Sequence, residues 1–256
     1  MIRAVSRLPL ALSAAALVLL VVAALRLPLR PHGDAGEYLL MLESWHRHGS
    51  PELQPQDRES LRVLLAGEGL SIDEGRVVPN YHAGRDERLY GYHFWGYSLA
   101  GVPARSLLES RGLSPLRALP VTNAILFGLA LVAVAFLPWT SSRHLALGGL
   151  LLLSPALGFL MWPHPEVFTF ALVTLVLVLS ARGRRAAAVL AAALASLQNP
   201  PLVLLVALLW AAAALAGWRR RSATPVLLGT LAALPALLPA VFFQWQFGVF
   251  NLSVRP

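Results

Sequence analysis

The sequence predicts an all-α integral membrane protein with about seven transmembrane helices and a large extracytoplasmic first loop that carries amphipathic surface helices. Hydrophobic residues make up 57% of the 256-residue chain and charged residues 13%, a composition too apolar for a globule in water. Uncharged runs such as 8–25 and 119–137 approach the roughly 20 residues that carry a helix across a hydrocarbon layer. We therefore treat residues 1–256 as a single membrane domain.

The apolar runs define the predicted spans in order. Residues 28–118 are predicted as the outer loop after the first span, and residues 244–256 as an outer tail. Residues 3 and 7 are arginines ahead of an apolar stretch, as in a signal peptide, but no small-residue cleavage site precedes Pro28, which favours an uncleaved first span. The spans are 8–27, 119–138, 145–162, 166–181, 186–198, 201–217 and 225–243.

The arginines of the short loops predict the orientation, because positive residues are retained on the cytoplasmic side. With seven crossings all of these arginines share one side, which places the N-terminus inside and the large loop outside the cytoplasmic (inner) membrane. A single helix over 186–217 would put one cluster outside, so a hairpin turn is predicted at residues 198–201, where proline breaks the helix. The arginines are Arg3, Arg7, Arg143, Arg182, Arg184, Arg185, Arg219, Arg220 and Arg221.

The predicted outer loop contains every acidic residue except Glu166. Apolar residues at three- and four-residue steps predict an amphipathic surface helix over 35–46. Further helices are predicted over 58–65 and 94–108, with an irregular stretch over 67–89. A loop of this length is usually functional when it is ordered.

Composition also excludes some chemistry. Cysteine is absent, so a metal would be bound only through oxygen or imidazole. The net charge of +8 could indicate nucleic acid, but the arginines lie between apolar runs rather than along a soluble face. We expect membrane lipid and no nucleic acid as a partner.

Asp34 and Glu166 are candidate catalytic residues, and Glu37 is a candidate for substrate binding. Asp34 and Glu37 open the predicted surface helix, where capping of the helix is the alternative explanation for both. Glu166 opens the fourth span; an acid at the edge of a bilayer is costly unless it is paired, hydrated or used, and a favourable interaction with the helix dipole is its alternative role.

Other polar residues are candidates for substrate binding. His93 lies in an aromatic-rich segment whose rings could stack on sugars or anchor a helix at the interface, and His164 precedes Glu166. Arg85 and Arg88 are suited to phosphate, although a solvated loop also explains them. Asn199 follows Gln198 at the predicted outer turn, where turn chemistry alone is sufficient.

Two short motifs carry a resemblance to a known family. Residues 33–39 read GDAGEYL after the first span, and residues 92–99 read YHFWGYSL before the second. With the long loop between them, the chain resembles the GT-C glycosyltransferases, membrane enzymes that use polyprenyl-phosphate sugars and include protein O-mannosyltransferase and aminoarabinose-transferase relatives.

The resemblance implies an inverting transfer of sugar to the hydroxyl of an unknown acceptor. Asp34 would act at the reaction centre as the base, with Glu37 nearby and Glu166 as the second acid. A divalent metal (Mg or Mn), if present, would be bound by Asp34 and Glu166. Arginine or this metal would stabilise the leaving phosphate.

A non-enzymatic membrane protein, either a transporter or an assembly subunit for lipid or cell-envelope glycan, is the alternative. Transporters carry ionisable residues near mid-span and broken helices in repeats. Here the span interiors are nearly free of charge and the polar groups gather at one predicted face, which favours an enzyme at the interface.

The predicted orientation has a direct test in cysteine labelling, since the chain has no cysteine of its own. A single cysteine placed at Arg184 or Arg220 should not react with a membrane-impermeant reagent added outside, whereas one placed at Glu59 should react. Labelling of the Arg184 or Arg220 position from outside would contradict the orientation.

Overall fold

The computed structural model describes residues 7–70, 81–137 and 139–250, which are helical apart from one small sheet. The helices of this part of the chain are α1 (Arg7–Arg26), α2 (Ala35–His48), α3 (Pro55–Gly67), α4 (Gly96–Ser110), α5 (Ala118–Ala135), α6 (Ser141–Leu152), α7 (Glu166–Ala181), α8 (Arg185–Ser196), α9 (Val203–Arg219), α10 (Thr224–Ala233) and α11 (Leu238–Phe247), and the strands are β1 (Glu52–Leu53), β2 (Tyr81–Ala83) and β3 (Leu89–Gly91).

Four helical stretches among the described residues are long and apolar enough to cross a membrane. They coincide, within a few residues, with predicted spans 8–27, 119–138, 201–217 and 225–243. Two shorter apolar helices, α7 and α8, lie at predicted spans 166–181 and 186–198, and α6 covers only the first part of predicted span 145–162. These helices are compatible with membrane insertion, while the number of crossings and the orientation stay predictions. The four stretches are Arg7–Arg26, Pro115–Ala135, Pro200–Arg219 and Thr224–Phe247.

The chain divides into two compact units. The first, called here the helical unit, comprises Met1–Leu20, Ile125–Leu157 and Glu166–Leu238. The second, called the loop unit, comprises Val21–Ala124, Gly158–Pro165 and Pro239–Pro256.

The helical unit is organised around α8, which packs against α7, α9 and α10. Alanine dominates this helix, and Ala188, Ala192, Ala193 and Ala195 are fully buried. Small side chains let neighbouring helices approach closely, which is how helices gain packing energy in a lipid environment. The alanine content of residues 186–195 therefore positions the surrounding apolar helices.

The loop unit has α2 at its centre, against α3 and α4. The sequence predicted a helix at 35–46 on a surface, and the helix is present, but every residue from Ala35 to Ser44 is buried. Segments that follow in sequence, including α4 and β3, cover the side of α2 that its polar residues occupy, while the predicted position along the membrane surface stays a prediction. Predicted helices 58–65 and 94–108 correspond to α3 and α4.

A three-stranded antiparallel sheet of order β1-β3-β2 lies beside α2. Glu52 is opposite Tyr90, and Tyr81 is opposite Gly91. The sequence predicted only irregular structure over 67–89, of which residues 71–80 lie outside the described part of the chain. Strands of two or three residues are too short to show the alternation that reveals a strand in a sequence.

A buried ion pair fastens the three helices of the loop unit together. Arg105 of α4 donates to both carboxylate oxygens of Glu43 of α2, at 2.6 and 3.1 Å. Ser60 of α3 donates to the same carboxylate at 3.1 Å. Both charged side chains are at most 4% exposed, and Arg105 also lies 3.1 Å from the carboxylate of Glu109. The buried charge of Glu43 therefore depends on Arg105 for its compensation.

Replacing Arg105 by methionine should destabilise the loop unit strongly, because it leaves the Glu43 carboxylate buried without its cation. Breaking a buried pair in this way costs about 3–5 kcal/mol, measurable as a fall in the free energy of unfolding in detergent micelles. Arg62→Met is the matched control, since Arg62 pairs with Glu59 on the surface and its loss should change stability little. Equal effects of the two substitutions would contradict the assignment.

Candidate active site

Asp34 stands at the N-cap position of α2 without acting as a cap. Its side chain makes no capping hydrogen bond to the helix and is 35% exposed. An N-cap aspartate normally accepts a hydrogen bond from a backbone N–H in the first turn. Capping therefore does not explain this residue, and its carboxylate remains accessible to a ligand.

Glu37, one turn further along α2, is fully buried and binds His93. Its Oε1 accepts the backbone N–H of His93 at 2.6 Å, and its Oε2 lies 3.1 Å from the Nδ1 of the imidazole. A buried carboxylate needs such partners because its desolvation is costly. The side chain thus ties the start of α2 to the segment between β3 and α4.

Glycine at position 91 makes this approach possible. A Cβ there would lie 2.9 Å from the Oε1 of Glu37 and 2.6 Å from the sulfur of Met41. Such distances are too short for a real Cβ, so a larger residue at the end of β3 would have to displace the side chains of Met41 and Glu37. Glycine leaves the hydrogen bond between Glu37 and His93 undisturbed.

His93 lies between the buried and the exposed carboxylate. Its Nε2 is 3.7 Å from the Oδ2 of Asp34, and its side chain is 28% exposed. The ring packs against Tyr38 and Tyr92 at centroid distances of 5.4 and 4.9 Å. The imidazole is therefore fixed on one edge by Glu37 and faces Asp34 with the other.

His164 reaches the same cluster from a distant part of the sequence. Its ring stacks on Trp162 at 4.1 Å and meets the edge of Tyr38 at 5.4 Å. The Trp162 indole donates to the carbonyl of His32 at 2.7 Å, and Asn123 donates weakly to the carbonyls of Trp162 and His164. These bonds hold the 158–165 segment beside the residues that precede Asp34.

The two histidines have opposite electrostatic environments. Burial lowers the pKa of His93, but the hydrogen bond and charge of Glu37 and the charge of Asp34 outweigh it and raise the pKa above its usual value. Burial lowers the pKa of His164 to about 4, with the charge of His93 acting in the same direction and that of Asp34 against it. The environment of His93 thus favours the charged imidazole more than usual and that of His164 favours the neutral one, a contrast that suits acid–base chemistry.

Three of these residues could contribute to a cation site. Asp34, Glu37 and His93 each offer one atom, and the three atoms lie within 4.8 Å of one another. Both oxygens of Glu37 already accept hydrogen bonds from His93, which suits it to orienting that ligand. Asp34 and the Nε2 of His93 would then be the direct ligands, and this mixed donor pair fits Mn²⁺ better than Mg²⁺.

The other predicted site residues have contacts or positions of their own. Arg88 pairs with Glu52 at 2.9 Å, and the backbone N–H of Arg85 donates to the carbonyl of Gln246 at 2.6 Å. Glu166 is an exposed residue that begins α7, and Asn199 precedes the 3₁₀ turn Pro200–Leu202. Glu166 and Asn199 belong to the helical unit, so their association with Asp34 stays a prediction.

Sequence reasoning assigned no function to Tyr38, Trp162 and Asn123, which surround the two histidines. In the sequence, Tyr38 belongs to the apolar pattern of the predicted helix over 35–46, and Trp162 ends predicted span 145–162, where an indole anchors a helix at the interface. Asn123 is the residue with a usable signal, because an amide within a predicted membrane span needs a specific hydrogen-bond partner, and the structure buries it completely.

No family model matches the chain, and neither a curated protein nor a solved structure with significant similarity was found. The fold and the site define a helical protein whose apolar helices are compatible with a membrane. The protein carries a carboxylate–imidazole cluster at the start of α2. Its function therefore has to be argued from this cluster.

The opposite environments of the two histidines should be visible by NMR of ¹⁵N-labelled histidine in detergent. The His93 signal, assigned by its loss in His93→Gln, should titrate above the usual range, and that of His164 near pH 4. Glu37→Gln should lower the pKa of His93, because it removes the charge that favours the imidazolium. Glu59→Gln, an exposed change on α3, should leave it unchanged; an unaltered His93 titration in Glu37→Gln would contradict the proposed pairing.

Proposed function

We propose that the protein transfers a sugar from a polyprenyl-phosphate donor to an acceptor hydroxyl with inversion, using Asp34 as the base. The observation that carries the proposal is the partly exposed carboxylate of Asp34. It makes no capping hydrogen bond to α2 and faces an imidazole that a buried glutamate holds in place. A general base has to be within reach of the proton that it takes. The Asp34 side chain is 35% exposed, which suits it to this role, whereas Glu37 is fully buried.

In the proposed reaction the acceptor oxygen attacks the anomeric carbon as its proton passes to the Asp34 carboxylate. The bond between that carbon and the phosphate oxygen breaks, and its electron pair leaves with the polyprenyl phosphate. His93, whose pKa is raised, would donate a hydrogen bond from Nε2 to the phosphate. Positive charge fixed beside a developing anion lowers the barrier because it needs no reorganisation during the reaction.

Aromatic rings at the cluster support a sugar as the ligand. Tyr92 and Trp162 are both partly exposed and pack against His93 and His164 respectively. The apolar face of a pyranose stacks on such rings while its hydroxyls bond to polar neighbours. The two rings would therefore orient the donor sugar between the histidines.

The position of the cluster in the chain supports a lipid-linked donor. Asp34 follows the end of α1, at Arg26, by only eight residues, and α1 is long and apolar enough to cross a membrane. A lipid phosphate lies at the membrane interface, where such a cluster would meet it. From the arginine distribution we place this interface on the extracytoplasmic side of the cytoplasmic membrane.

A divalent cation could assist by neutralising the charge of the donor phosphate. Asp34 and the Nε2 of His93 would hold it, with Glu37 orienting His93, and the cation would then take the place of the Nε2 proton and of its hydrogen bond to the phosphate. Such a site, with few protein ligands, leaves positions for phosphate oxygens and water.

Replacing Asp34 by asparagine should reduce sugar transfer about a hundredfold to ten-thousandfold, the usual effect of losing a general base, while the protein stays folded. Asparagine keeps the shape of aspartate but cannot accept the proton. The assay is release of sugar from a polyprenyl-phosphate donor in reconstituted vesicles, with Glu59→Gln as the control for a carboxylate outside the site.

Near-normal turnover by Asp34→Asn would refute the catalytic role. No turnover by the unmodified protein with any lipid-linked sugar would instead favour the non-enzymatic alternative.

A further inference from the structure

A cavity of about 290 Å³ lies in the helical unit, between α1, α5 and α6. Its walls are apolar, with leucines from all three helices, among them Leu12, Leu131 and Leu152. Pockets that enclose drug-sized ligands range from about 300 to 1,000 Å³. The cavity is therefore suited to a segment of one hydrocarbon chain.

Two consecutive glycines open this cavity on the side of α6. Gly148 and Gly149 both line it, and a Cβ built on either would meet no atom within 4 Å. The space beside them is thus not filled by any described part of the chain. A flexible chain could occupy it without displacing a helix.

One polar group of the cavity wall lacks a partner. His144 is 5% exposed, and its Nε2 is 2.9 Å from the carbonyl oxygen of Leu137. That bond requires the proton on Nε2, so in the neutral ring Nδ1 is an acceptor. Nδ1 is buried and makes no hydrogen bond within the described residues, and an unsatisfied buried acceptor is unfavourable.

The charges near the cavity complement an anion. Pro9 and His144, which line it, lie in the first turns of α1 and α6. Arg7 and Arg143 are exposed at the beginnings of the same two helices. Glu166 is the one acidic residue in the sequence of the helical unit, so the arginines have little competing negative charge.

We infer that this cavity, which opens as a groove beside Gly148 and Gly149, binds an anionic phospholipid of the phosphatidylglycerol type, with a free hydroxyl in its headgroup. An acyl chain fills the apolar space beside Gly148, and a headgroup hydroxyl donates to Nδ1 of His144. The phosphate lies near Arg7 and Arg143, as basic residues at the ends of membrane helices attract anionic lipids. This site is separate from the Asp34 cluster and does not depend on the proposed transferase activity.

Native mass spectrometry of the whole chain in detergent tests the inference by titration with phosphatidylglycerol, phosphatidic acid and phosphatidylcholine. One phosphatidylglycerol should bind about tenfold more tightly than phosphatidylcholine, a difference of about 1.4 kcal/mol, because a basic residue near an anionic lipid contributes about 1 kcal/mol. Gly148→Leu should abolish this binding because leucine fills the groove. Ala146→Leu, on the exposed side of α6, should leave it intact.

The headgroup assignment is tested by His144→Phe, which keeps a ring but removes the acceptor. It should weaken phosphatidylglycerol binding about threefold to tenfold, the usual effect of one hydrogen bond, and leave phosphatidic acid unaffected at a pH at which its phosphate is fully ionised and has no proton to donate. Should this variant fail to fold, the comparison of Gly148→Leu with Ala146→Leu still decides the groove.

Three results would overturn the inference. Retention of phosphatidylglycerol by Gly148→Leu is one, and equal affinity of the unmodified protein for all three lipids is the second. The third is a dimer mass that is lost in Gly148→Leu, which would show that a helix of a second copy fills the groove.

Discussion

The candidate site depends on one buried interaction, the pair of hydrogen bonds between Glu37 and His93. Glu37 has no exposed surface, so its carboxylate depends on those two donors for stabilisation. The bonds join residues 56 positions apart, and they position the segment after β3 against the start of α2. Asp34 and His93 face each other only because this segment is held there.

The surrounding structure is arranged to support that contact. Gly91 leaves room for Glu37, and the ion pair between Glu43 and Arg105 anchors α4, which begins three residues after His93, to α2. From the other side, Trp162 binds the carbonyl of His32 just before Asp34. Polar bonds between residues distant in sequence thus bring the other members of the cluster to the start of α2.

The sequence predicted the helices well where hydropathy decided them. Charge-free runs such as that of α1 carry their own signal, as do the three-residue steps of α2. The same reasoning did not show that both faces of α2 would be buried, because periodicity shows that a helix has two unlike faces but not which later segments will cover the polar one. The strands were missed since pairs such as Glu52 and Tyr90 form through tertiary contact rather than through local pattern.

For the site, sequence reasoning selected Asp34, Glu37, His93 and His164, and the structure brings these four residues into one cluster. It could not assign their separate roles. These follow from the burial of Glu37 and the exposure of Asp34, and burial is a result of the whole fold. It also selected Arg85 and Arg88 as candidates for substrate binding, although Arg88 forms an ion pair with Glu52. Residue type and spacing suggest chemistry, but accessibility and partners decide which groups are able to perform it.

A double-mutant cycle between Glu37 and His93 tests most directly whether this buried contact holds the site together. Glu37→Gln, His93→Phe and the double substitution would be compared by their free energies of unfolding in detergent micelles. For a hydrogen bond to a charged group we expect a coupling energy of about 1.5–3 kcal/mol, with the double variant less destabilised than the sum of the single ones. Additivity within about 0.5 kcal/mol, as found for independent positions, would contradict the account.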